Sequence, residues 1–362
     1  MKNKLIVIFI IFFAFLSITS IYSASSILPD YNKYIYIKQG IWYLIGIILI
    51  IVIYKLKRGF FYKYDNILYF IGNILLILVL IFGEITNGSK AWFNIPGLGS
   101  FQPSELMKIA LIIILSNKIN SHESKTFKDE TFLIMKCLLI TLIPSILTFL
   151  EPDTGNVIIF FIILISIIFI HGIKRKWYII SLTILSIGIT SLFLIYKYNN
   201  DLFLSIFGTN IVYRMQRIFD WKNNEGMQLE NALTAIGSSP KNGYGLGNTP
   251  IYIPEAHTDF ISAVIFSNYG LVISILIIFL FLIFDLILIS IAINQNKKNK
   301  YLLTGIISIL IFQQIQNIGM NLGLLPITGI TLPFISYGGS SLICYLILIG
   351  LILNINKKKK EL

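Results

Sequence analysis

The stretch DFISAVIFSNYGLVISILIIFLFLIFDLILIS, residues 259–290, decides the fold. Between Asp259 and Asp285 it carries no charged side chain, and its Ile, Leu, Val and Phe run exceeds the roughly 20 apolar residues that a membrane-spanning helix needs. Similar runs recur along the chain. Cutting at the polar breaks gives ten expected spans, near 5–24, 40–54, 67–84, 102–117, 131–150, 155–172, 178–196, 259–290, 301–321 and 338–355. The second and fourth are short, and the eighth is long enough to tilt or to extend beyond the lipid. A membrane β-barrel would show short alternating segments instead. The composition agrees: 56% of the 362 residues are hydrophobic, 13% are charged, and the mean hydropathy is +0.80. The expected fold is an all-α polytopic membrane protein, one membrane domain over 1–362.

Charge sets the orientation. With the N-terminus cytoplasmic, the inner segments hold 20 of the 29 basic residues, in clusters such as Lys55 to Lys63, Lys174 to Lys176, Lys297 to Lys300 and Lys357 to Lys360. Eleven of the 17 acidic residues fall outside. Both termini are therefore expected inside, with one large extracytoplasmic loop, 197–258, between the seventh and eighth spans. A net charge of +12 distributed this way sets topology and does not call for nucleic acid. Lys2 and Lys4 ahead of an apolar stretch ending at Ser23 to Ser26 also suit a secretory signal, but that stretch exceeds the roughly 7–15 residues of a signal core and is read as a span. Cys137 and Cys344 lie inside apolar runs and the three histidines are far apart, so a metal would need carboxylates.

The long loop ends at Pro254-Glu255-Ala256-His257-Thr258-Asp259-Phe260. Thr258 or Asp259 can cap the eighth helix. Equally, Asp259 at the membrane boundary, beside an imidazole and a second carboxylate, can act as a general base on a lipid-borne substrate. Arg214 and Arg217 lie in the same loop, whose aromatic content argues for ordered structure, and Gly243 to Gly247 reads as a tight turn. At the fourth span, Gln102-Pro103-Ser104-Glu105-Leu106-Met107-Lys108 puts Glu105 and Lys108 on one helical face. The pair either neutralises itself or lines a wet outer cavity continuous with Asp259. Glu151-Pro152-Asp153-Thr154-Gly155 joins two spans, and Asp153 there suits an N-cap in a tight turn. The run from Pro326 to Ser341, with its prolines and glycines, predicts irregular backbone sheltered inside protein, a re-entrant segment, and includes Ser336, Gly338 and Gly339. Asp285, near the inner end of its span, can reach toward Lys297 or Lys298.

These motifs, in this order on a ten-span pattern, resemble the shape, elongation, division and sporulation (SEDS) family of bacterial membrane proteins, which includes RodA and FtsW. The matching residues are Gly88 to Phe93, Phe101 to Lys108, Glu151 to Gly155, Gly243 to Gly247, Pro254 to Phe260, and Asn317 to Met320 through Gly339 to Ser341. Glu151 stands where members commonly have Gln, and Ser262 where an aromatic is common. Gly97 to Phe101 looks RodA-like, while Tyr213 to Arg217 and Pro254 to His257 look FtsW-like, so the subgroup stays open.

The resemblance implies a peptidoglycan glycosyltransferase that polymerises lipid II at the outer face of the cytoplasmic membrane, alongside a class B penicillin-binding protein. It implies Asp259 as the essential acid and Glu105 and Lys108 as paired charges; His257, Arg214, Arg217, Asp153, Ser336, Gly338 and Gly339 are the further candidates for substrate-binding or supporting residues. Lys108, Arg214, Arg217 or a divalent cation, magnesium or manganese, would meet the charge of the leaving pyrophosphate. Two other readings stand beside it: a flippase for lipid II, and a scaffold that only positions the penicillin-binding protein.

Overall fold

The computed structural model describes residues 2–27, 34–86, 88–95, 99–122, 126–198, 221 and 226–357. Among these, ten helices of 17 residues or more fall on the ten expected spans: α1 (Lys2–Ser25), α2 (Ile35–Lys55), α4 (Asp65–Phe82), α5 (Pro103–Asn120), α6 (Phe127–Leu150), α7 (Thr154–His171), α8 (Arg175–Tyr198), α10 (Ile261–Ala292), α11 (Lys297–Asn321) and α12 (Gly339–Ile355). Two shorter helices are α3 (Phe60–Lys63) and α9 (Met227–Gly237). Eight of the long helices are long and apolar enough to cross a membrane; α12, at 17 residues, is shorter, and α5 carries Glu105, Lys108 and Lys118. The chain is a multi-pass α-helical membrane protein.

Polarity tracks position in the bundle. The least apolar of the eight spans, α11, is 67% buried, whereas α8 buries none of its apolar window. A side chain that cannot face lipid cheaply is tolerated when it faces protein. The second span shows the same rule. It starts at Ile35 because Lys38-Gln39 is no break: buried Gln39 donates from Nε2 to the Ser336 carbonyl at 3.1 Å and accepts from the Gly338 N–H. Asp285 likewise meets Gln314 on α11, whose Nε2 donates to it at 3.2 Å, and not the nearby lysines.

Two features were not expected. Three short strands, β1 (Glu84–Thr86), β2 (Ser89–Ile95) and β3 (Gly99–Phe101), pair antiparallel in that order, and the last leads the chain to Pro103 at the first turn of α5. The fold is thus helical with one short β-meander. Second, the long span is broken at Gly270 (φ 74°, ψ 177°). At the break, the N–H groups of Tyr244 and Gly245 donate to the carbonyls of Ser267 and Asn268, each at 3.0 Å. The expected tight turn at 243–247 is therefore a plug for a helix break. Gly243 is required there, since a Cβ on it would lie 2.2 Å from the Asn268 carbonyl oxygen.

Candidate active site

Three non-helical segments meet above the buried helices α5, α11 and α12: the turn Pro254–Phe260, the run 322–338, and the connection Glu151–Asp153. The run 322–338 is irregular, and Ile330, Leu332, Phe334, Ile335 and Ser336 within it are buried in protein, as its composition predicts. It is sewn to the Asp259 turn. The Ser336 hydroxyl donates to the Thr258 carbonyl at 2.7 Å while accepting from the Leu332 N–H, and the Tyr337 N–H donates to the His257 carbonyl at 2.8 Å.

Asp259 sits half-buried at this junction. A Cβ at Gly329 would come within 3.3 Å of its Oδ2, so the run 322–338 borders the carboxylate directly. The N-cap of α10 falls on Phe260, which offers no side-chain oxygen, and the Thr258 hydroxyl turns to Glu255 instead, at 2.8 Å from its Oε2. Capping by Thr258 is thereby overturned. His257 packs its ring 5.6 Å from that of Tyr337, its Nδ1 is buried without a hydrogen-bond partner, and burial lowers its pKa, holding the imidazole neutral.

Asp153 occupies the N-cap of α7, accepting from the Asn156 N–H at 3.1 Å, and it also accepts from Gln102 Nε2 at 2.8 Å. It thus ties the start of α7 to the residue that precedes α5. Gly155, two residues on, lies against the Thr328 carbonyl and Ile330. Gly338 is the N-cap of α12, and Gly339 abuts Trp42 so closely that a Cβ would lie 2.6 Å from the indole. Arg214 and Arg217 lie outside the described residues.

Glu105 and Lys108 form a buried ion pair, Nζ to Oε1 2.7 Å, with 6% and 1% of their side chains exposed. They are closed in protein and do not line an open cavity, because α12 packs against them: Cys344 Sγ donates to the Glu105 carbonyl at 3.1 Å. Among the described residues no three His, Cys, Asp or Glu side chains converge on a point that would hold a metal ion.

Glu151 is fully buried, and neither carboxyl oxygen has a hydrogen-bond partner. Burial, reinforced by the neighbouring Asp153 charge, pushes its pKa up to about 9, so the side chain is neutral at pH 7. A protonated carboxyl has the shape and charge of a carboxamide, so Gln is its neutral counterpart at this position. The linkage has a definite sign. In the unfolded chain the group titrates near 4.5, so between that pH and about 9 the folded protein binds the extra proton and loses stability as pH rises. Glu151→Gln is expected to remove that slope and to be more stable at pH 8 by about 1–3 kcal/mol. Melting temperatures of both proteins across pH 5 to 9 check this, and parallel curves would contradict it.

Sequence reasoning missed the carboxamides of Asn321, which bonds the Asp259 turn, and Gln102, which bonds Asp153. The signal for the first was present: Asn317 and Asn321 are four apart and share one face of α11.

Comparison with known proteins agrees with this geometry. The family model for cell cycle proteins of the FtsW, RodA and SpoVE group matches residues 3–361. The chain is 32% identical over 337 residues to a probable peptidoglycan glycosyltransferase FtsW of Buchnera aphidicola subsp. Schizaphis graminum, covering 90% of this chain and 92% of that one. It is 34% identical over 359 residues to the protein of the same description from Coxiella burnetii, covering 94% and 92%. Among solved structures it resembles a chain from a peptidoglycan synthase complex that coordinates polymerization and crosslinking, with a TM-score of 0.81 and 25% identity over 97% of this chain and 96% of that one. The rod shape determining protein RodA of Thermus thermophilus shares the fold, at a TM-score of 0.70 and 24% identity over 97% and 95%. A bundle of buried polar helices topped by an Asp259 turn, matched over nearly its whole length, makes the chain a member of the FtsW, RodA and SpoVE family of cell cycle proteins.

Proposed function

We propose that the protein is a peptidoglycan glycosyltransferase that polymerises lipid II at the outer face of the bacterial cytoplasmic membrane. The observation that carries this is the placement of Asp259: a half-buried carboxylate beside Gly329, at the meeting of three segments held by named hydrogen bonds. Polymerisation requires a sugar hydroxyl to lose its proton as its oxygen attacks the anomeric carbon bearing the pyrophosphate. The Asp259 carboxylate takes that proton, the new glycosidic bond forms, and the C–O bond to pyrophosphate breaks with its electron pair.

Lys108 is committed to Glu105, so the leaving pyrophosphate falls to cations elsewhere, with Arg214 and Arg217 in the same loop suited to it. The lipid tails lie along the helix bundle, and a class B penicillin-binding protein, which crosslinks the product, is the partner. The relatives' descriptions and the likeness to a peptidoglycan synthase complex support this reading.

Purified protein supplied with lipid II in detergent is expected to yield glycan chains, slowly alone and faster with its cognate penicillin-binding protein, because a bound partner shifts the population toward the competent state. Gel separation of the glycan measures both. Lipid II that crosses vesicle membranes without being joined would favour transport, and equal rates in a demonstrated complex would leave the partner only a localising role.

A further inference from the structure

The geometry around Asp259 shows how its backbone is kept out of the helix that follows. In a continuing α-helix the Ala263 N–H would donate to the Asp259 carbonyl, four residues back. It does not. The side chain of Asn321, from α11, stands between the two groups: its Oδ1 accepts from the Ala263 N–H at 3.1 Å, an N–H shared with the Phe260 carbonyl at 3.1 Å, and its Nδ2 donates to the Asp259 carbonyl at 3.0 Å. Asn317, one turn earlier on α11, adds a second donor to the same carbonyl at 2.8 Å, while its other N–H goes to the Ile330 carbonyl at 2.8 Å and its Oδ1 accepts from Ser262.

Both carboxamides are fully buried and neither has an unused Nδ2 or Oδ1 atom: the second Asn321 N–H donates to the Asn317 carbonyl at 2.8 Å. Such a network is costly to leave half made, so it holds one geometry. The first regular i to i+4 bond of α10 is then Val264 to Phe260, one residue past the position that would draw Asp259 into the helix.

We propose that Asn321 and Asn317 are positioning residues for the reaction: by replacing the first helical hydrogen bond with a two-pronged side chain and holding the Asp259 carbonyl to α11 and to the 330 segment, they aim the Asp259 carboxylate toward Gly329 and the substrate. Without Asn321, the Ala263 N–H keeps only its short-range bond to the Phe260 carbonyl and the Asp259 carbonyl loses one of its two carboxamide donors, so the two groups are free to pair as a first i to i+4 bond of α10 and the carboxylate loses its fixed direction. Misplacing a reacting group by an ångström costs about 10²-fold.

The inference rests on Asp259 as the base, and the experiment separates the two. Full-length Asn321→Leu, Asn321→Gln and Asp259→Asn proteins, purified with the penicillin-binding partner, are assayed on lipid II over a concentration series, with melting temperatures recorded. Asn321→Leu is expected to lower kcat about 10²-fold with KM within about twofold of the parent, and Asn321→Gln, which keeps both prongs, to recover to within about tenfold. Where Asn321→Leu does not accumulate, Asn321→Ala, which leaves room for a bridging water, and Asn321→Asp, which keeps the acceptor and loses the donor, are read the same way. Parental kcat in folded Asn321 variants, with Asp259→Asn inactive, overturns the positioning role alone. Loss of kcat only in proportion to lost folded protein, with no recovery by Gln, also overturns it. An active Asp259→Asn overturns the base and the positioning together.

Discussion

Asp259→Asn protein is expected to make no glycan from lipid II while folding and inserting as the parent does. The substitution is nearly isosteric, and it leaves intact the backbone carbonyl that Asn317 and Asn321 bind and the Thr258 carbonyl that Ser336 binds. What it removes is the ability to take a proton. A general base contributes about 10²–10⁴-fold, so the expected loss lies in that range or beyond detection. Glycan yield at saturating lipid II, set beside the melting temperature of the same sample, is the measurement. Polymerisation at the parental rate would end the role of Asp259 as base.

The second large effect is on the buried pair. Lys108→Met leaves the Glu105 carboxylate facing closed protein, with one oxygen already unpartnered and the other stripped of the ammonium it pairs with. Removing one member of a buried pair costs about 3–5 kcal/mol, enough to unfold many domains, and thermal unfolding in detergent is expected to show it. The double variant Glu105→Gln, Lys108→Met carries no charge and is expected to regain most of that stability. The exchanged pair, Glu105→Lys with Lys108→Glu, keeps opposite charges three residues apart on the same face of α5 and tests function more sharply. If the pair serves turnover as well as folding, the exchanged protein folds and makes no glycan. Normal turnover by it would reduce the pair to a device that lets a charged helix sit inside the bundle.

Much of this architecture is written in local sequence. The apolar runs fix ten helices because a backbone in lipid must satisfy itself internally, whatever the surrounding side chains do. Asp153 as an N-cap and Pro103 at a first turn are settled within a few residues, since their partners are their own helix's orphan N–H groups. The irregular run from Pro326 to Ser341 could be foreseen from its prolines and glycines, and so could its burial, because irregular backbone has no other place at that depth.

Other features have no local signal. The break at Gly270 rests on the turn at Gly243, 27 positions earlier, which supplies the hydrogen bonds that make it tolerable. The charge state of Glu151 depends on what covers it, and the closure of the Glu105–Lys108 pair depends on α12 packing over it, more than 200 residues away. The sequence by itself determined the membrane-spanning helical class, the family and the identity of Asp259 as the residue to watch, because composition, periodicity and short motifs are properties of contiguous chain. Only the tertiary structure decided how that carboxylate is held, through Asn317, Asn321, Ser336 and Gly329. Hydrogen bonds between segments 58 to 78 residues apart are set by how whole helices pack, and no stretch of either segment read alone carries the direction in which its side chains will meet the other.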